Sequence, residues 1–239
     1  MDSPDLERYS RQIMLPEIGP QGQERISSAS VLVVGLGGLG APVAAYLTAA
    51  GVGRLGLCDA DTVSLSNLQR QILYAEDQIG MSKPMAARDR LAAMSHHTVF
   101  DIHSDGLTPE CAAELIGQYD LVVDCCDNFA TRYLIDDTCA ALGRVWIYGA
   151  IGAFGGQVGV FGCEGEDGRT VRYRDLYPDS ESLAAVPAAH AGVVGPLPGI
   201  IGAIQASEAL KLIAGYGSPL CGTLFAIDTL TLNTEKIQL

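Results

Sequence analysis

Val31-Leu32-Val33-Val34-Gly35-Leu36-Gly37-Gly38-Leu39-Gly40 decides the fold. Its first four residues read as a buried strand, and the glycines form a tight turn into an alanine-rich helix from about Ala41 to Ala50, closed by Gly51. A strand that breaks into glycines and then a helix presents backbone N–H groups and a helix N-terminus to phosphate. A second apolar strand around 55–57 delivers Asp59, nineteen positions after Gly40, where a carboxylate can bond ribose hydroxyls. Glycines in such a turn also serve close packing that binds nothing, so the pattern alone supports a nucleotide site without deciding it.

Outward from this unit the chain keeps alternating. Further strands are expected near 98–102, 120–124 and 144–149, with helices starting at Pro84 and Pro109. The pattern predicts an α/β fold with a Rossmann-like, doubly wound, mostly parallel sheet. Gly155–Phe161 has strand character with hairpin flanks, so the sheet turns mixed there, and 222–239 reads as two terminal antiparallel strands after a buried helix at 199–214. Residues 1–28 form an N-terminal helical arm, of a kind that often packs on a neighbour, and 164–187, rich in charge, Gly, Ser and Pro, reads as a long mobile loop. Ser82-Lys83-Pro84 offers a capping serine and places Lys83 near a helix N-terminus. Asp127 and Asn128 fall just past the strand at 120–124, at the sheet edge where ligands bind, which makes Asp127 a candidate metal or phosphate-site residue and Asp124 a structural one.

Composition narrows the classes. With 239 residues, 48% hydrophobic and 18% charged, residues 1–239 fit a single compact domain. A net charge of −13 argues against nucleic acid or an anionic membrane surface as partner, so any phosphate must be held by local cations. The start, Met1-Asp2-Ser3-Pro4-Asp5, does not resemble a signal peptide and no apolar run reads as membrane-spanning, so the cytoplasm is expected. Seven scattered cysteines without a Cys-x-x-Cys pair are expected to be reduced thiols in core packing, and the four histidines form no metal constellation. His190 is expected to be exposed or locally bonded, while Tyr173, Tyr177 and Phe154 either line a groove or pack.

Arg8-Tyr9-Ser10-Arg11-Gln12-Ile13, the Gly35–Gly40 loop, the run from Asp59 to Gln71, Lys83, Asp124-Cys125-Cys126-Asp127-Asn128 and Ala191-Gly192-Val193-Val194-Gly195-Pro196 together give a resemblance that runs nearly end to end. The chain resembles the ThiF/MoeB/HesA family, bacterial relatives of ubiquitin-activating enzymes that adenylate small ubiquitin-like sulfur carriers. The resemblance implies that Gly35, Gly37, Gly38 and Gly40 cradle ATP, that Asp59 holds its ribose, and that Asn67, Arg70, Gln71 and Lys83 surround the phosphates. It implies Mg²⁺ on Asp127, with Asn128 beside it, and a homodimer in which Arg11 reaches the partner's nucleotide site. The implied carrier ends in Gly-Gly and is ThiS-like or MoaD-like, serving thiamine or molybdopterin synthesis, with the thiamine type slightly favoured. A sulfur donor such as a cysteine desulfurase is a further implied partner.

The chain also departs from the family. Members often carry two Cys-x-x-Cys pairs on structural zinc, whereas the first location here reads Arg172-Tyr173-Arg174-Asp175-Leu176-Tyr177-Pro178, so no structural zinc is expected. Ala188 stands where many members place a reactive cysteine, which removes a covalent carrier bond at that position but not adenylation. Two alternatives stay open: a nucleotide- and carrier-binding paralogue without catalysis, and an NAD-dependent dehydrogenase using the same glycine fingerprint.

Overall fold

The computed structural model describes residues 3–165, 167–184 and 192–239. Three short helices, α1 (Ser3–Arg8), α2 (Ser10–Ile13) and α3 (Gly19–Ser28), lead into β1 (Ser30–Val34), α4 (Gly40–Ala50) and β2 (Arg54–Cys58). Then come α5 (Lys83–Ala92), β3 (Val99–His103), α6 (Ala112–Gly117), β4 (Leu121–Asp124), α7 (Phe129–Leu142) and the hairpin β5 (Val145–Gly152) to β6 (Gly155–Phe161). The chain finishes with α8 (Tyr173–Leu176), α9 (Ser180–Ala184), the long α10 (Pro196–Ala214), β7 (Thr223–Asp228) and β8 (Asn233–Gln238).

All strands join one sheet in the order β3-β2-β1-β4-β5-β6-β7-β8. The first five are mutually parallel and the last three antiparallel, as the alternation and the hairpin signals predict. From β1 the chain winds outward to β2 and β3, then returns to place β4 on the other side of β1. That reversal opens a crevice at the carboxyl ends of β1 and β4. Alternate residues feed separate cores on the two faces. Val31 and Val33 pack with Ile26, Leu47, Leu91 and Ile201 from α3, α4, α5 and α10, whereas Leu32 and Val34 pack with Leu115, Tyr133 and Tyr173 from α6, α7 and α8.

Four expectations need correction. The stretch 164–187 is not loop throughout, because it contains α8 and α9, and Tyr173 is fully buried in an aromatic cluster with Trp146, Tyr148 and Phe161. Not all cysteines are reduced: pairing of β6 with β7 brings Cys163 and Cys221 to a Cα separation of 5.7 Å and they are disulfide-bonded, a link that their 58-residue spacing hides. An apolar stretch of spanning length does exist in α10, 19 residues long, but it is apolar because the sheet and α4 cover it, with Leu197, Ile201 and Ala209 fully buried. Ser82 does not cap α5 through its side chain; its hydroxyl bonds that of Ser104 at 3.2 Å.

Candidate active site

The crevice beside the β1–α4 turn is a cleft of about 670 Å³, lined by Gly35, Gly37, Gly38, Asp59, Arg70, Gln71, Lys83, Asp127 and Asn128 among others. The turn depends on glycine at Gly35 and Gly40, whereas a Cβ on Gly37 would meet only the Gln71 side chain at 3.4 Å. Gly35 has φ +90°, and a Cβ there would lie 2.7 Å from the Cys125 carbonyl oxygen. A Cβ on Gly40 would lie 2.0 Å from the Gly35 carbonyl oxygen, so Gly40 closes the turn on itself and does not face the cleft. Tyr74 braces the turn from beneath, its buried hydroxyl donating to the Leu36 carbonyl at 2.8 Å.

Asp59 is tied to the same turn. One carboxylate oxygen accepts the Leu36 N–H at 2.7 Å and the other accepts the Asp61 N–H at 2.8 Å, which fixes the carboxylate on the cleft wall. Lys83, the first residue of α5, is only 4% exposed. Its ammonium lies 2.8 Å from an Asp61 oxygen and 4.0 Å from Asp59, a cation held in place by carboxylates instead of by water. Arg70 also faces the cleft, its guanidinium donating to the Ser66 carbonyl at 3.0 Å. Gln71 is 3% exposed, and its side-chain oxygen is buried without a hydrogen-bond partner on a wall of the cleft.

Two other candidates stand apart from this cluster. Asn67 does not line the cleft; its side-chain oxygen accepts the Ser64 N–H at 3.2 Å and shapes the turn that presents Arg70 and Gln71. Arg11 is exposed on α2 and does not line the cleft of its own chain. Asn128 has a double position: it lines the cleft and caps α7 by accepting the Thr131 N–H at 2.9 Å. Asp127 beside it is exposed at the cleft. No group of three or more metal-ligating side chains occurs among the described residues.

Arg132 escaped the sequence reading. It is buried, bonds Asp124 at 3.3 Å and the Cys126 carbonyl at 2.9 Å, and lies 5.3 Å from the Tyr148 ring centroid. Asp124, fully buried, is structural as expected, accepting the Cys126 N–H at 3.0 Å; burial pushes its carboxyl upward and Arg132 opposes that shift. The only sequence signal for Arg132 was an arginine one turn into a helix that follows two acids. Of the aromatic candidates, Tyr177 lines the cleft, Tyr173 packs beneath it, and Phe154 is 42% exposed away from it. Burial also pushes the Cys58 thiol up to about 12 and those of Cys125 and Cys126 well above their ordinary value, which disfavours the thiolate at these three cleft-lining positions. Ala188 and His190 lie outside the described residues.

Residues 9–239 match the model of the ThiF family. The chain belongs to the ThiF family. It is similar to the sulfur carrier protein adenylyltransferase of Thermus thermophilus, 47% identical over 237 residues that make up 98% of this chain and 87% of that protein. It is also similar to the probable adenylyltransferase/sulfurtransferase MoeZ of Mycobacterium tuberculosis, 42% identical across 98% of this chain and 60% of MoeZ. Adenylyltransferase and sulfurtransferase MOCS3 of Xenopus laevis is 43% identical across 100% of this chain and 52% of its own length. This ThiF-family chain therefore spans most of the Thermus protein but only about half to three fifths of the other two. The fold is shared with PaaA, TM-score 0.83 at 24% identity over 100% of this chain and 74% of PaaA, and with Escherichia coli MccB crystallised with ATP, TM-score 0.79 at 21% identity over 97% and 71%. The names of these relatives support adenylation and give no support to the dehydrogenase alternative.

Proposed function

We propose that this chain adenylates the C-terminal glycine of a ubiquitin-like sulfur carrier, using ATP with Mg²⁺. The observation that carries the reading is the buried Lys83 ammonium lining one cleft with Arg70 and a glycine-rich turn, in a chain whose relatives are named for this chemistry. A terminal carboxylate oxygen of the carrier attacks the α-phosphorus of ATP, the bond to pyrophosphate breaks, and the leaving oxygen takes the electron pair. No proton moves at the attacking group, because a terminal carboxylate is ionised at neutral pH. Two anions must meet, so the chain's work is positioning and charge neutralisation. The turn N–H groups and α4 hold phosphate, Asp59 orients the ribose, and Arg70, Lys83 and the Gln71 side chain face the transferred group. Asp127 would hold the metal, since Mg²⁺ commonly takes one or two carboxylates plus phosphate oxygens, and the metal when bound adds positive charge on the phosphates.

Arg11 completes the cleft of a second copy in this reading. Support comes from its exposure together with the exposed Met14 and Leu15, and from a hollow of about 260 Å³ lined by Gln12, the exposed Tyr46, Ala203 and Leu210. The setting is cytoplasmic, where ATP and carrier meet, and a separate sulfur donor acts on the acyl-adenylate. Whether the carrier is ThiS-like or MoaD-like is decided by incubating each with this protein, ATP and Mg²⁺ and measuring intact mass and pyrophosphate. An AMP-sized gain on one carrier is expected; no gain on either, with ATP bound, favours the non-catalytic paralogue.

A further inference from the structure

Two arginines of the 172–177 segment clamp two aspartates of α7. Arg172 donates from one nitrogen to Asp136 and to Asp137, both at 2.8 Å, while Arg174 grips both oxygens of Asp137 at 2.7 and 2.5 Å. The other oxygen of Asp136 accepts the Tyr173 N–H at 3.1 Å. Arg174 then lies 4.9 Å from the ring centroid of Tyr133, whose hydroxyl donates to the Tyr177 carbonyl at 2.7 Å. The Tyr177 ring is 5.0 Å from that of Tyr173 and 6.1 Å from that of Phe129, and it lines the cleft. Asp136 is buried and anchors Arg172 and the Tyr173 N–H. The half-exposed pairs to Asp137 contribute under about 1 kcal/mol each, so stability is a poor reason for the Asp137 arm. A bidentate fork does fix direction, and what it directs is the segment that ends in Tyr177.

We propose that the Arg172–Arg174/Asp136–Asp137 clamp is a positioning device that holds Tyr177 as the wall against which the carrier's tail lies, making Tyr177 the residue that selects Gly-Gly. This rests on the adenylation reading. A glycine tail offers no side chain to recognise, so selection must come from excluding bulk, and a flat ring held by Tyr173 and Phe129 narrows the cleft without needing a polar contact. Rejection of one added methyl group by such a wall is worth about tenfold or more.

The test compares carriers ending in Gly-Gly and Ala-Gly, with intact mass and pyrophosphate as readouts, in the full chain and in Tyr177→Ala, Asp137→Ala and Asp137→Glu. The full chain is expected to favour Gly-Gly at least about tenfold in kcat/KM. Tyr177→Ala and Asp137→Ala should each lower that preference to about threefold or less and raise KM for the carrier, with KM for ATP unmoved, and Asp137→Glu should regain most of it. An unchanged far-UV circular dichroism spectrum and thermal unfolding that stays cooperative show that the variants are folded. Undiminished preference in both alanine variants, or a matching rise in KM for ATP, overturns the clamp alone. Absence of any AMP adduct in the full chain overturns the adenylation reading and the clamp with it.

Discussion

The parallel half of the sheet and the antiparallel half build the two sides of one cleft by different means. On the β1–β4 side the function sits in backbone shape: a glycine turn, a helix start, Lys83 held by neighbouring carboxylates and Arg70 bonded to the Ser66 carbonyl, all within residues 35–83. On the β5–β6 side it sits in side-chain packing, where Arg132, Tyr148, Tyr173 and Tyr177 come from elements spread over 129–177 and meet only in the fold. The first kind of site admits no side chain at Gly35 or Gly40 without a shift of backbone. The second is adjustable, and it is where carriers of different tails can be told apart.

The comparison breaks most visibly at Arg132, which belongs to both sides. Arg132→Met leaves the Asp124 carboxyl buried without its partner, a loss of about 3–5 kcal/mol, expected to lower Tm by roughly 10 °C. Calorimetry checks this, and a drop below about 3 °C would mean that Asp124 is neutral in the fold. Next in size is Arg70→Ala, expected to reduce carrier adenylation about 10²- to 10³-fold with Tm nearly unchanged, since the arginine's guanidinium bonds the Ser66 carbonyl in its own turn. Activity within threefold of the full chain would remove Arg70 from the transition state.

Glycine substitutions sharpen the contrast further. Gly40→Ala drives a methyl group into the Gly35 carbonyl and is expected to cost about 1–3 kcal/mol and to weaken ATP binding as the turn shifts. Gly117→Ala at the exposed end of α6, where a Cβ meets only Leu142 at 4.0 Å, is expected to stabilise by about 0.4–1 kcal/mol. Equal outcomes at both positions would show that the turn is less rigid than its contacts require.

These two sides also differ in how much of them the sequence reveals. The β1–α4 turn, the C-terminal Gly51 of α4, the position of Lys83 at the start of α5 and the change to antiparallel pairing at β5–β6 are all legible, because each depends on local spacing and on residues with special backbone freedom. Arg132, the Cys163–Cys221 bond and the burial of Tyr173 are not legible, because each depends on which distant strands pair and which faces meet. Charge patterning misleads at 164–187 for a related reason. Arg172 and Arg174 read as loop polarity, yet their partners Asp136 and Asp137 lie more than thirty residues away on α7.

The smallest expected effect is the one that isolates the packed side. The hydrogen bonds from Arg174 hold the Asp137 carboxyl below the usual carboxylate range. A carboxyl depressed in the fold adds stability above its unfolded value and loses that contribution as pH falls through the folded value, so the clamp stays closed at neutral pH and opens only in acid. Trp146 emission, which reports the aromatic cluster under the clamp, should therefore be flat from about pH 8 to pH 5 and change below about pH 4, ahead of global unfolding. Asp137→Asn should abolish that early step while leaving the Arg70 and Lys83 side of the cleft able to bind ATP. If the acid step persists in Asp137→Asn, another carboxylate governs it, and the antiparallel wall is held by its aromatic packing without help from the charges.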